Sequence, residues 1–236
     1  MYENIFKRVE EKYLLSKEQY IELFNDINEY IEKDKYYETT ICNIYFDNED
    51  DELIYTSMDK PIYKHKVRLR SYGIPRIDDD VFLEIKFKFK NVVGKRRIKI
   101  KLKDFKNYLK IKKYSGNDQI MKEIDYLFNL YHLRSSYFIA YDRKSYREKN
   151  NENLRITIDT NLRSRKENLS LECGDKGILY FAEEKYIMEI KTLGTMPLWL
   201  VKCLSDLGIY PVSFSKYGSI YKKEIVWKVL WKTCTK

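Results

Sequence analysis

Three short pairs carry the clearest chemical signal in the chain: Glu10-x-Lys12, Glu84-x-Lys86 and Glu189-x-Lys191. Each lies in an alternating run of strand type, so the two members of a pair project to the same side. A carboxylate among lysines at this spacing has two uses. It can form cross-strand ion pairs, worth at most about 1 kcal/mol when exposed. It can also place a divalent metal, Mn2+ or Mg2+. Such a metal takes one or two carboxylates together with water and phosphate oxygens, while the lysines neutralise the remaining phosphate charge. Glu10, Glu84 and Glu189 are the candidate ligands, and the spacing does not rank them.

The same alternation repeats in three basic runs. Lys64, Lys66, Arg68 and Arg70 share one face of the first, with His65, Val67 and Leu69 on the other. Glu84, Lys86, Lys88 and Lys90 oppose Leu83, Ile85, Phe87 and Phe89 in the second. Lys95, Arg97, Lys99 and Lys101 oppose Ile98 and Ile100 in the third. Neighbouring cations on one face of a strand lie about 7 Å apart and repel by roughly 2 kcal/mol at an effective dielectric near 20. Either water screens that repulsion on an outer face, or a polyanion uses it. Tyr141-x-Arg143 and Arg155-x-Thr157-x-Asp159 add arginines, whose planar fork matches phosphate. Phe214-Ser215-Lys216-Tyr217-Gly218 is a polar turn rich in donors.

Composition limits what these residues can serve. The chain has 236 residues, 44% hydrophobic and 34% charged, with only 8 glycines and 4 prolines, so a folded protein without long linkers is expected. Its net charge of +9 suits phosphate-rich small molecules, nucleic acid or anionic surfaces. Four cysteines, none in a C-x-x-C pair, and two histidines disfavour zinc. They read as reduced thiols in the cytoplasm. No apolar h-region opens the sequence and no stretch approaches the length of a membrane span. Phosphate-binding glycine loops and the G-x-S-x-G elbow are absent, so side chains must do the gripping.

The elements that must position these residues are also legible. Lys7 to Leu15 reads as a strand. Ser16 with Gln19 forms a capping box for a helix whose stripe Tyr20, Phe24, Ile27, Ile31 runs to about Lys33–Lys35. Strands follow at Thr39–Asp47, Lys64–Tyr72, Val81–Lys90 and Lys95–Lys101. Two helices occupy Lys103–Leu133, and strands resume at Tyr137–Arg143, Leu154–Asp159 and Tyr186–Lys191, with a further strand or extended loop between Asn161 and Cys173. A helix from Pro197 to Leu207 is stopped by Gly208. A tail helix from Ser219 carries Ile220, Trp227 and Trp231 on one side. The expected fold is α+β: a closed antiparallel eight-stranded β-barrel with helices packed around it, one domain over 1–236 with 219–236 as a helical tail.

In order and spacing, these motifs resemble the catalytic domain of the vacuolar transporter chaperone (VTC) polyphosphate polymerases, within the triphosphate tunnel metalloenzymes. The resemblance runs from Arg8-Val9-Glu10-Glu11-Lys12-Tyr13 through Arg68-Leu69-Arg70-x-Tyr72, Leu83-Glu84-Ile85-Lys86 and Met188-Glu189-Ile190-Lys191 to Ser215-Lys216-Tyr217. It implies a basic tunnel in which the terminal phosphate of ATP lengthens an inorganic polyphosphate chain with a divalent metal. Carried over by motif, Arg68, Arg70, Lys86 and Glu189 would be catalytic, with Glu189 holding the metal. Lys12, Lys95, Arg97, Tyr141, Arg143, Arg155, Lys191, Ser215 and Lys216 would bind phosphate. Two departures stand out. Arg8 occupies the place of a glutamate in the wider tunnel family, which disfavours a two-metal triphosphatase. Ser213 occupies the place of a lysine two residues before the tail serine, which removes one phosphate ligand.

Three functions compete: a polyphosphate polymerase, a tripolyphosphatase or nucleoside triphosphatase of the same fold, and a non-catalytic polyphosphate- or RNA-binding module. The cation-rich strands favour the first. Nucleic acid is not expected as a partner, because Phe87 and Phe89 lie opposite the lysines, where they suit a core better than a stacking platform. With no sensor domain or anchor in the sequence, a free-standing catalytic domain is expected, with docking to a membrane-protein partner left open. Lys64 and Lys66 match no motif and are expected at the tunnel mouth.

Overall fold

The computed structural model describes residues 8–234 apart from 60, 91 and 150; side chains at 8, 151–152 and 227–234 are not described. Trp227 and Trp231 therefore fall outside the described side chains. The element order is β1 (Arg8–Leu15), α1 (Lys17–Ile27), β2 (Ile31–Asp47), α2 (Glu52–Met58), β3 (Tyr63–Tyr72), β4 (Asp80–Phe89), β5 (Val92–Lys101), α3 (Leu102–Ile111), α4 (Gln119–Leu130), β6 (Arg134–Glu148), β7 (Asn151–Arg165), β8 (Ile178–Leu179), β9 (Tyr186–Leu193), α5 (Leu198–Asp206) and α6 (Lys216–Cys234).

The fold is α+β, with one large sheet in the order β1-β9-β7-β6-β2-β3-β4-β5 and the short β8 beside β7. Hydrogen bonds do not close the sheet into a ring, so the expected closed barrel is not shown. The described residues form two compact units. Among them, one comprises residues up to 39, 141–162 and 179–214; the other comprises 40–140, 163–178 and those from 215 onward.

In the first unit, β9 pairs antiparallel with both β1 and β7. Tyr13, Leu15, Ile156, Ile158, Met188 and Ile190 form its apolar face and pack against Leu23 and Ile27 of α1 and Leu200 and Leu204 of α5. Each such side chain contributes roughly 1.5–3 kcal/mol on burial. The α1 capping box forms as expected, with Ser16 and Gln19 bonding reciprocally. The helix ends earlier than its stripe suggests. Tyr30 N–H turns back to the Ile27 carbonyl, and Ile31 is buried as the first residue of β2. Burial of Ile31 satisfies either assignment, so the periodic pattern could not separate them.

In the second unit, β2, β3, β4 and β5 pair antiparallel in sequence. Ile44, Phe46, Val67, Leu69, Leu83 and Ile85 pack against Phe105 of α3 and Ile124 and Phe128 of α4. Phe87 joins this core, but Phe89 at the strand end is half-exposed. The α6 helix starts three residues before Ser219, because Ser215 accepts the Gly218 N–H. Among the described residues Cys42, Cys173 and Cys203 are free thiols. No described helix is long and apolar enough to cross a membrane.

Candidate functional site

Register decides which side chains meet. In the second unit three rows cross the sheet on the face away from its core. Tyr45, Arg68, Glu84 and Arg97 are successive partners on β2, β3, β4 and β5. Asn43, Arg70, Phe82 and Lys99 form the next row, and Lys66, Lys86 and Lys95 a third. Directly opposed residues on one face stand about 5 Å apart, within reach of one another.

The centre of this face is Glu84, which has no exposed surface. Arg68 donates to its Oε2 from Nε at 2.8 Å and lies at 2.7 Å through Nη2. Lys95 and Arg97 stand 3.7 and 3.8 Å from Oε1, close enough for charge attraction but without a hydrogen bond to that oxygen. Arg68 also donates to the Tyr45 hydroxyl at 3.1 Å, and Arg70 donates from Nε to Asn43 Oδ1 at 2.8 Å. Burial pushes the Glu84 carboxyl up, but the charges of Arg68, Arg70 and Lys95 outweigh it and hold the group below the usual range. The Tyr45 phenol is likewise lowered against its own burial by Arg68 and Arg70. The Lys95 ammonium is lowered by burial, and Arg97, Arg70 and Arg68 add to that against the pull of Glu84. The Tyr45 and Glu84 shifts, both against burial, report a positive potential.

The first unit builds a different arrangement. Thr157, Glu189 and Lys12 are successive partners on β7, β9 and β1, with Arg155, Lys191 and Glu10 beside them. Asp159 is fully buried and grips Arg143 with both oxygens, at 2.6 and 2.7 Å. Arg143 Nη2 is 3.8 Å from Glu189, and its guanidinium lies 5.3 Å from the Tyr141 ring centre. Burial works against the Arg143 charge, yet Tyr141, Asp159 and Glu189 hold its pKa well above the ordinary value. Lys191 lies 3.5 Å from both Glu189 and Glu10, and Glu10 pairs with Lys12 at 2.9 Å. Arg155 pairs with Asp34 at 2.9 Å.

Each unit thus gathers its own share of the expected residues. Arg68, Arg70, Lys86, Lys95, Arg97, Ser215, Lys216 and Glu84 belong to the second; Lys12, Tyr141, Arg143, Arg155, Lys191, Glu10 and Glu189 belong to the first. Sequence reasoning gave no role to the partners that hold the arginines: Asn43, Tyr45 and Asp159, the last quoted only as part of the Arg155-x-Thr157-x-Asp159 run. The alternation of Asn43 and Tyr45 with Ile44 and Phe46 was the available signal, since it sets two polar groups on one face of a strand whose other face is core. Lys66, expected at the tunnel mouth, donates to Ser215 Oγ at 3.1 Å, a contact the sequence did not indicate.

The sequence profile of the VTC domain family matches residues 7–224. The chain belongs to the VTC domain family. Solved structures share its fold at low identity. A candidate adenylyl cyclase from Hippeastrum, described as having a dominant triphosphatase activity, is 14% identical, with a TM-score of 0.58 over 92% of this chain and 96% of that one. A candidate adenylate cyclase from Bacillus halodurans is 16% identical, with a TM-score of 0.55 over 88% and 93% of the two chains. Another from Vibrio parahaemolyticus is 10% identical, with a TM-score of 0.51 over 91% and 97%. No curated protein matches the sequence.

For this VTC domain the family resemblance implies a divalent metal, and the residues fit one unevenly. Glu189 fits. It is a hard oxygen donor, and the buried Thr157 hydroxyl directly opposite has no hydrogen-bond partner. Glu84 fits less well: it is fully buried and already bonded by Arg68 at 2.7–2.8 Å, whereas Lys191 and Arg143 stand 3.5 and 3.8 Å from Glu189. Glu10 is engaged by Lys12 and Lys191. Among the described residues no group of three or more His, Cys, Asp or Glu could hold a metal. The remaining coordination positions therefore suit phosphate oxygens and water.

Proposed function

We propose that this VTC domain is a metal-dependent phosphotransferase that moves the terminal phosphate of ATP onto a growing inorganic polyphosphate chain. The observation that carries the proposal is the buried Glu84 carboxylate shared by Arg68, Lys95 and Arg97 at the centre of a cation-rich face. Phosphoryl transfer needs positioning and charge neutralisation more than covalent help. Arg68 and Arg70 neutralise charge on the transferring group, held in place by Glu84, Tyr45 and Asn43. Lys86, Lys95, Arg97, Ser215 and Lys216 bind the phosphates on either side of it. In the first unit Lys12, Arg143, Arg155 and Lys191 bind phosphate oxygens, with Tyr141 against Arg143. Glu189 holds Mn2+ or Mg2+, which supplies Lewis-acid neutralisation of phosphate oxygens when bound.

The carboxylates support a phosphate rather than a water acceptor. Glu10, Glu84, Asp159 and Glu189 lie 2.9, 2.7, 2.6 and 3.5 Å from a lysine or arginine. Each carboxylate serves a cation, which suits it poorly to deprotonate water. A terminal phosphate of the growing chain is already anionic and asks for no base. The fold neighbour with triphosphatase activity makes hydrolysis the second reading. Incubation with gamma-labelled ATP and Mn2+ separates the two. Acid-stable labelled polymer is expected; labelled orthophosphate without polymer would establish the hydrolase instead.

A further inference from the structure

Four cations share one face of β3, yet their side chains take different partners. Lys64 donates to the Ser57 carbonyl at 2.8 Å, near the end of α2. Lys66 donates to Ser215 Oγ at 3.1 Å and stands 5.7 Å from the Tyr217 ring centre. That ring is fixed. It stacks on Tyr45 at 4.4 Å, and its hydroxyl donates to Asp47 at 3.3 Å. Asp47 in turn is fully buried and accepts the N–H groups of Leu53 and Ile54. The serine that Lys66 reaches is thus held by a rigid neighbour, while the lysine itself keeps a polar, accessible setting.

We propose that Lys66 is a further phosphate-binding residue, acting with Ser215, Lys86 and Lys95 on a single phosphate group of a triphosphate or polyphosphate. The inference rests on the phosphotransferase reading above and adds a residue to its site. Its basis is the row Lys66, Lys86 and Lys95, directly opposed across β3, β4 and β5, with one hydroxyl at its end. Three ammonium groups and a hydroxyl offer donors in number to the oxygens of one phosphate, and charge-assisted bonds of this kind are the stronger class. Ser213 carries no cation to the tail motif; Lys66 brings one to Ser215 from β3 instead.

Lys64 is the matched control, because Lys64→Ala removes the same charge from the same face. Titration calorimetry with inorganic tripolyphosphate would compare wild type with Lys66→Ala, Lys66→Arg, Lys64→Ala and Arg70→Ala. Lys66→Ala should raise Kd about tenfold with Tm unchanged, the loss of one charge-assisted contact. Lys66→Arg should recover most of that loss, and Lys64→Ala should stay within about twofold of wild type. Equal losses from Lys66→Ala and Lys64→Ala would reduce Lys66 to a source of potential and overturn the inference. If tripolyphosphate binds wild type and is lost in Arg70→Ala but kept in Lys66→Ala, the inference fails while the phosphotransferase reading stands. Failure of wild type to bind at all removes that reading itself.

Discussion

The two units solve the same problem, a carboxylate held below arginines on a sheet face, in opposite ways. On the second unit's rows six cations (Lys66, Arg68, Arg70, Lys86, Lys95 and Arg97) gather about the carboxylate of Glu84, while Lys99 pairs with Asp80 at 3.4 Å. On the first unit's face four cations (Lys12, Arg143, Arg155 and Lys191) face four carboxylates (Glu10, Asp34, Asp159 and Glu189). The shifts agree with the count. Tyr45 and Glu84 are held down by surplus positive charge, whereas Arg143 is held up by surrounding negative charge. A cation-rich face suits polyphosphate; a balanced face suits a metal that arrives with phosphate attached. The lesson is that two stretches of similar E-x-K sequence acquire different chemistry from the strands that flank them.

The sharpest way to break this comparison is to remove one arginine from each face. Asp159 is fully buried and accepts both hydrogen bonds of Arg143, so Arg143→Ala removes a buried bidentate pair and should cost about 3–5 kcal/mol of stability. Glu84 keeps Lys95 and Arg97 nearby when Arg68 is lost, so Arg68→Ala should cost less, about 1–3 kcal/mol. Urea unfolding measures both. Equal costs would mean that the surplus cations do not share Glu84.

Activity should divide along the same line. Arg70 is buried and braced by Asn43, and it sits in the cation-rich rows. Arg70→Ala should lower kcat by about 100-fold or more, equivalent to roughly 2.7 kcal/mol of transition-state stabilisation. Circular dichroism of the variant should show the fold retained. A loss confined to KM would assign Arg70 to ground-state binding alone.

A smaller effect should appear in the acid limb of stability. Despite its burial, the Glu84 carboxyl is held below its ordinary range by Arg68, Arg70 and Lys95. A group lowered in the folded state contributes stability above its unfolded pKa and loses it as pH falls through the folded one. Wild type should therefore lose more stability than Glu84→Gln between neutral and acid pH. Parallel pH–stability curves would show that the surrounding cations do not act on Glu84.

How far the sequence reached follows from the periods involved. Strand alternation places whole faces, so the basic faces of β3, β4 and β5 and the apolar faces beneath them could be read directly. The Ser16–Gln19 cap and the stop at Gly208, whose φ is 61°, were legible because each is a local device. Cross-strand neighbours were not legible. Nothing in Glu84-x-Lys86 says that its carboxylate belongs to Arg68 on the next strand, or that Asp159 grips Arg143 sixteen residues away. Register over long separations sets those contacts, and one residue of slip would exchange every face. Lys66 was hidden for the same reason: its partner Ser215 is 149 residues distant.

The smallest expected effect tests the surplus charge itself. Burial and the neighbouring arginines lower the Lys95 ammonium, against the pull of Glu84. A bound polyanion would add negative charge beside it and raise it again. Binding should then take up a fraction of a proton at alkaline pH, and affinity should weaken as pH rises through that range. Titration calorimetry of tripolyphosphate in two buffers of different ionisation enthalpy reads the uptake directly. Lys95→Met should reduce it while costing less than about 1 kcal/mol of stability, since the side chain is half-exposed. If the uptake persists unchanged in Lys95→Met, the proton comes from elsewhere, and the positive potential assigned to this face loses its most direct reporter.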